Sequence, residues 1–263
     1  MLELLSENGW EVVATDLEGS ERNTYYTESE GDVPSPVYYE DIFERVGAEF
    51  IPADLTKPET LDAVFEEHDY DAVFHIASLF DYFAEWDVLE AVNIEGGRNI
   101  AEAAAENDVD HFVHWSTLGV LGDAGFESPK EEDAPYDPHN RYCKSKVKQE
   151  KVVKEVSDEM GLPYTIIRPA PIYGPRHRYG VYHILLLIRK FGFAPLTRLY
   201  PRRKQLMFPC VHVEDLTRAA LFVNQNKDEA TGETYNVLSD CIGQDELVDF
   251  LADFLGVKKK RLP

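Results

Sequence analysis

The order of apolar segments along this chain predicts an α/β fold, in which a doubly wound parallel sheet is covered by helices on both faces. Three observations carry that expectation. Short segments at 10–15, 49–52, 71–75, 111–116 and 164–168 have the length of strands and are apolar along most of that length. Helical patterns at 58–67, 88–106 and 141–160 alternate with them, and strands joined through helical crossovers run parallel, with both faces of the sheet buried. Small or polar residues also recur at strand ends: Asp16, Asp54, the run His75-Ile76-Ala77-Ser78, and Ser116 with Thr117. In open α/β sheets the carboxyl ends of the strands hold the functional site.

Taken in order, residues 1–8 read as an amphipathic helix with Leu2, Leu4 and Leu5 on its apolar side and Gly9 as its stop. The first strand follows and ends at Asp16. A polar loop containing Pro34 and Pro36 separates it from the second strand. His75 is expected to be a packed histidine. Beyond the helix at 141–160 and the strand at 164–168, the stretch from 161 to 213 has no Asp or Glu. It carries Arg168, Arg176, Arg178, Arg189, Lys190, Arg198, Arg202, Arg203 and Lys204. Such a stretch reads as a pocket for an anionic substrate, with arginine forks on phosphate or carboxylate, or equally as a basic surface paired with acidic neighbours.

Bulk properties narrow the partners. The 263 residues are 44% hydrophobic and 12% aromatic, enough to bury a substantial core. A formal net charge of -23 repels nucleic acid and anionic membranes, so neither is expected as a partner. Cys143, Cys210 and Cys241 are scattered, form no metal-ligand spacing and suit a reducing cytoplasm; no metal is expected. The purely aliphatic run at 184–188 is far too short to span a bilayer.

The reactive candidates centre on Tyr142 and Lys146, four apart and therefore on one side of a helix. A free phenol, with a pKa near ~10, is a poor base, and a fixed ammonium beside it stabilises the phenolate. The phenolate can take a proton from a substrate hydroxyl, while Thr117 donates a hydrogen bond to the same oxygen. Taken alone, a Tyr and a Lys at this spacing also occur on solvated helix faces.

The ordered set of Asp16, Asp54-Leu55, HIAS, Asn93 in VNIEGGRNI, Ser116-Thr117, YCKSK, RPAPIYGPR and HVEDLTRAA resembles the extended short-chain dehydrogenase/reductases, the NAD-dependent epimerase/dehydratase family. The resemblance covers almost the whole chain. It implies a Rossmann-like NAD-binding domain over 1–168, to which 205–225 returns, and a small C-terminal substrate-binding subdomain over 169–204 and 226–263. Tyr235 and Asn236 are expected in a late strand of that smaller unit. By the same resemblance, Thr117, Tyr142 and Lys146 are catalytic, with Tyr142 and Lys146 also on the nicotinamide ribose. Asp16 is implied on the adenosine ribose, favouring NAD over NADP, and Asp54 and Leu55 at the adenine. Ala77 is implied in the cofactor-lining loop, Asn93 in ordering the helix beside the site, and Pro169 in passing the nicotinamide.

Arg176, Arg178 and Arg202 are candidates for an anionic small-molecule substrate, and a homodimer through the Tyr142 helix and the long helix before it is implied. The resemblance also implies a glycine-rich phosphate loop ahead of residue 1. Met1 is therefore expected not to be the natural start, with roughly 25 residues missing, half of a βαβ unit. Leu118 and Gly119 stand where the sugar-nucleotide dehydratases of the family carry an acid and a base, which speaks against dehydration. Phe208-Pro209-Cys210 stand where many epimerases carry a diphosphate-binding arginine. The remaining chemistries are epimerisation or simple oxidation and reduction, the latter resembling the hydroxysteroid and dihydroflavonol branches, with a non-catalytic nucleotide-binding protein as the rival.

The acid surplus resembles that of proteins from salt-loving organisms, in which dissolved ions screen the self-repulsion of a carboxylated surface. The urea unfolding midpoint is expected to rise between low salt and about 1 M potassium chloride, where the screening length falls to about 3 Å. An equal midpoint in both would refute the halophilic reading.

Overall fold

The computed structural model describes residues 1–22, 24–30, 33–66, 68–122, 130–175, 177, 181–196 and 207–261. The elements begin with helix α1 (Leu2–Glu7), strands β1 (Val13–Ala14), β2 (Thr24–Glu30) and β3 (Val33–Tyr38), helix α2 (Tyr39–Val46) and strand β4 (Glu49–Phe50). Then come α3 (Pro58–Glu66), β5 (Ala72–His75), α4 (Trp86–Leu89), α5 (Gly96–Glu106), β6 (His111–Trp115), α6 (Arg141–Met160) and β7 (Tyr164–Pro169). The remainder is β8 (Ile172–Tyr173), α7 (Val181–Phe191), β9 (Phe193–Leu196), β10 (Met207–His212), α8 (Val213–Gln225), α9 (Lys227–Ala230), β11 (Thr234–Val237), β12 (Asp240–Gly243), α10 (Gln244–Leu255) and β13 (Lys258–Arg261).

The central sheet is parallel, in the order β11-β7-β6-β5. Strand β6 shows why it is a core strand. All five of its residues are buried, because successive side chains leave on opposite faces and each face is covered. Phe112 packs with Ile100, Ala101 and Ala104 of α5 and with Val152, Val153 and Val156 of α6. Val113 and Trp115 pack the other way, with Leu216, Ala220 and Val223 of α8. A second parallel ladder joins β1 to β4. Among the described residues the two ladders share no strand pairing. Apolar contact links them instead, with Leu5 and Val12 packed beside Leu221 and Phe74.

Helix α5 approaches its neighbours through glycine. A Cβ on Gly96 would lie 2.9 Å from the Leu55 Cβ, and one on Gly97 would lie 2.9 Å from the Gln149 side chain. Immediately before α5, residues Glu90–Glu95 form a π-helical turn.

Three elements depart from the sequence expectation. The stretch read as a polar loop forms the β2–β3 antiparallel ribbon, in which each strand has one side without a partner; Pro34 and Pro36, two apart, are compatible with it because alternate residues of such a strand turn their nitrogen away from the ladder. Helix α2 was not expected; Asp41 accepts from the Tyr38 amide at 2.7 Å at its start, and Gly47 ends it in the left-handed region at φ 69°. Tyr235 and Asn236, expected in the smaller unit, belong to β11 and pair with Ile167 and Arg168 of the central sheet.

A separate group of strands has β10 between β8 and β12, parallel to the first and antiparallel to the second, and β9 pairs with β13. Strand β10, expected to return to the NAD-binding domain with 205–225, pairs with no strand of the central sheet, although its Val211 packs with Val113 and Trp115. A further apolar cluster sets Ile188 of α7 against Leu247, Val248, Leu251 and Ala252 of α10. Among the described residues, no helix is long and apolar enough to cross a membrane.

Gly96→Val should destabilise the fold by about 1–3 kcal/mol, since the new methyls meet the Leu55 Cβ and backbone and not a flexible side-chain end. Chemical denaturation of the variant checks this; an unchanged midpoint would mean α5 can move away freely.

Candidate active site

Helix α6 is delimited by its own sequence. Asn140 caps it, its side-chain oxygen accepting from the Cys143 amide at 2.8 Å, and Gly161 ends it at φ 81°. Its inner face carries Tyr142, Ser145, Lys146, Gln149 and Glu150, all buried. Polar groups on that face need partners within the protein. Ser145 Oγ donates to the Tyr142 carbonyl at 2.8 Å, and Asn93 Nδ2 donates to Ser145 Oγ at 2.9 Å. Asn93 Oδ1 accepts from the Leu79 amide at 2.7 Å. Asn93, fully buried in the π-helical turn, therefore fastens the loop after β5 to the start of α6.

Thr117 follows β6 and heads a 3₁₀ turn, Leu118–Leu121. Its Oγ1 accepts from the Gly119 amide at 3.2 Å. A Cβ on Gly119 would lie 2.6 Å from Cys143 Sγ, so this turn rests directly on the first turn of α6. The structure thus brings the Thr117 turn, Tyr142 and Lys146 into one region.

The electrostatics differ from the sequence expectation. Lys146, 1% exposed, donates to the Trp115 carbonyl at 2.7 Å and to Gln149 Oε1. Burial brings its pKa down to about 7, with the Glu150 carboxylate opposing that fall. The acidification expected of the Tyr142 phenol rests on Lys146 together with a cationic nicotinamide ring; the protein's own groups push it up to about 12, through burial, against the pull of a hydrogen bond with Ser78. Aromatic rings help enclose it: Phe80 and Tyr82 meet it edge-on, with centroids at 5.0 and 5.9 Å. His75 is packed, as expected, with Nδ1 3.3 Å from His114 Nδ1. Burial lowers both, His75 to about 3, so the pair is neutral at ordinary pH.

The other candidates lie at strand ends. Asp16 is exposed after β1, accepting from the Leu17 amide at 2.7 Å. Asp54 accepts from the amide and hydroxyl of Thr56 and pairs with Lys57 at 3.0 Å, and these contacts hold its carboxyl below the usual range. The Leu55 carbonyl accepts from Asn99 at 2.7 Å. Ala77 is exposed in the loop after β5, and Pro169 is buried at the end of β7. Arg176, Arg178 and Arg202 lie outside the described residues.

Arg168, read with the basic stretch as a possible anion ligand, is buried in an ion pair with Glu150 at 2.7 Å. Ser78 was named only within the run after β5, and Phe80, Tyr82, His114 and Glu150 were not singled out. Of these four only Glu150 had a signal, since it continues the four-residue spacing of Tyr142 and Lys146. Among the described residues, no three His, Cys, Asp or Glu side chains gather as a metal site.

A parallel sheet with a helix on each face and polar groups at its strand ends defines a Rossmann-like α/β fold. Residues 1–237 match the NAD dependent epimerase/dehydratase family, and the chain belongs to that family. It is 30% identical over 207 residues to a short-chain dehydrogenase/reductase family 42E member 1 from Macaca fascicularis, covering 74% of this chain and 51% of that protein. It is 39% identical over 98 residues to an Escherichia coli O157:H7 N-acetyl-alpha-D-glucosaminyl-diphospho-ditrans,octacis-undecaprenol 4-epimerase, covering 36% of this chain and 28% of the relative. The chain thus spans about half or less of the length of these curated relatives. In fold it resembles the UDP-glucose 4-epimerase of Thermotoga maritima, with a TM-score of 0.77 at 23% identity over 100% of this chain and 81% of the other.

Because the folded Lys146 pKa lies below its ordinary 10.5, the unfolded chain binds more protons between about 7 and 10.5. The associated stability is present above 10.5 and is lost as pH falls to about 7. The stability of Lys146→Met minus that of the native chain should therefore grow as pH falls through this window and level off below it. Urea titrations between pH 6 and pH 10 read this difference; one that stayed constant would place the folded lysine at its ordinary pKa.

Proposed function

We propose that the chain acts as an NAD-linked oxidoreductase or epimerase on a carbon bearing a hydroxyl group. The observation that carries this reading is the single cluster of Tyr142 and Lys146 on the buried side of α6 with the Thr117 turn resting on Cys143. Thr117 Oγ1 accepts from Gly119, which leaves its own hydrogen to donate to a substrate oxygen. Tyr142, protonated at neutral pH, is poised to give a proton to a carbonyl oxygen as it becomes an alcohol. In the oxidising direction the same phenol must first be deprotonated, and Lys146 assists only by turning its ammonium away from Trp115 and Gln149.

The residues present fit the two ends of a dinucleotide. The exposed Asp16 carboxylate suits the adenosine ribose diol and would repel the added phosphate of NADP, while Tyr142 and Lys146 suit the nicotinamide ribose. Bound nicotinamide supplies the hydride acceptor or donor. If the ketone stays and receives the hydride on its other face, the outcome is epimerisation; if it leaves, the outcome is oxidation.

The names of the epimerase relatives support a sugar nucleotide. A second reading has its own observation. Phe80 and Tyr82 wall Tyr142, and Phe83 beside them is 90% exposed, which suits a hydroxyl on an apolar ring system of the hydroxysteroid type.

Tyr142→Phe should lower turnover by about 10²–10⁴-fold while leaving the fold intact and NADH still bound, its affinity lowered only by the lost hydrogen bond to the ribose. Turnover is read with UDP-sugars and with apolar secondary alcohols, and NADH binding by nicotinamide fluorescence. Near-native turnover in the variant would rule out the proton path. Saturable NADH binding with no turnover on any substrate would favour a non-catalytic nucleotide-binding protein.

A further inference from the structure

Behind the site lies a buried charge pair that the reacting groups do not include. Glu150 is 0% exposed and Arg168 2%. Glu150 Oε1 accepts from Ser116 Oγ at 2.5 Å and Arg168 Nε at 2.9 Å. Its Oε2 accepts from Arg168 Nη2 and from the Tyr136 hydroxyl, both at 2.7 Å. Arg168 Nη1 also donates to the Glu132 carbonyl at 2.8 Å. Four donors fill the acceptor positions of one carboxylate. Such a pair commonly adds little net stability over an apolar pair of similar volume, so its geometry speaks for a role other than holding the fold.

That geometry is ordered along α6. Tyr142, Lys146 and Glu150 follow one another at four-residue intervals on the buried face. Lys146 grips the Trp115 carbonyl and Glu150 grips the Ser116 hydroxyl, the two residues immediately before Thr117. Arg168 joins the end of β7, next to Pro169, to the same carboxylate. Among the described residues, the titratable groups acting on or with Lys146 are Glu150 from its own helix, His114 from β6 and His75 from β5. Both histidines are neutral at ordinary pH, which leaves Glu150 as the countercharge.

We propose that Glu150, held by Arg168, is a positioning residue of the site: through Ser116 it sets where Thr117 stands relative to Tyr142, and it places a negative charge four residues from Lys146 on the buried face of α6. This rests on the reading of Tyr142, Lys146 and Thr117 as the reacting set.

The test uses the full chain labelled with ¹³Cε-lysine, the Lys146 signal being assigned through Lys146→Arg. Glu150→Gln keeps the shape and removes the charge, and the double variant Glu150→Leu with Arg168→Met removes both charges without leaving one unpaired. In each, the Lys146 titration midpoint should fall by about one pH unit. NADH affinity, read by nicotinamide fluorescence, should weaken by about tenfold or more. Arg168→Lys, which keeps a cation beside Glu150, should retain most of the native midpoint. If Glu150→Gln unfolds because Arg168 is left unpaired, the double variant decides. A folded double variant with the native Lys146 midpoint and native NADH affinity overturns the proposal. Failure of the native chain to bind NADH would instead count against the parent reading, and the Lys146 titration would still decide whether Glu150 holds its charge.

Discussion

Lys146 and Glu150 lie on a buried helix face, and charge placed there must be answered by protein groups. The answering groups come from the ends of two strands: the Trp115 carbonyl and Ser116 hydroxyl on the β6 side and the Arg168 guanidinium on β7. Satisfying the charges fixes α6 in depth and rotation against the sheet. The Asn93–Ser145 bond and the Gly119–Cys143 approach add the loops after β5 and β6 to the same helix. Three strand ends are thereby held to one side of α6, where Tyr142 sits.

Hydrogen-bond continuity divides the parallel strands unevenly. Strands β5, β6, β7 and β11 form one ladder, which carries the Thr117 and Tyr142 region, while β1 and β4 form another, which carries Asp16. The link between them is side-chain packing, Leu5 and Val12 beside Leu221 and Phe74. Any ligand reaching from Asp16 to Lys146 depends on that apolar seam for its span. The seam is non-directional, so it sets the spacing less sharply than a strand pair would.

Burial also decides the proton chemistry near α6. A phenol enclosed by Phe80 and Tyr82 keeps its proton, and a lysine sealed beneath Gln149 loses part of its hold on its own. The two groups are thus drawn towards the same neutral state, opposite to the charge-separated pair their spacing suggests. The aromatic rings exclude water from the phenol and at the same time offer an apolar surface to whatever approaches it.

Local patterns by themselves determined the parts of this protein whose cause is local. The helix over 141–160 is legible because its cap, its stop and its four-residue repeat all lie within the segment. The alternation of strands with helices, and with it the parallel sheet, follows for the same reason. The tertiary structure decided what depends on distant partners. Thr234–Val237 joined the central sheet by pairing with Ile166 to Pro169, a partner far away in sequence, and a strand of four residues carries no mark of which sheet it enters. Arg168 looked like one more cation in a basic stretch until Glu150 enclosed it, and the Tyr142 phenol rose because burial, a property of everything packed around a group, outweighed its hydrogen bond with Ser78, while the Lys146 ammonium is engaged by Trp115 and Gln149.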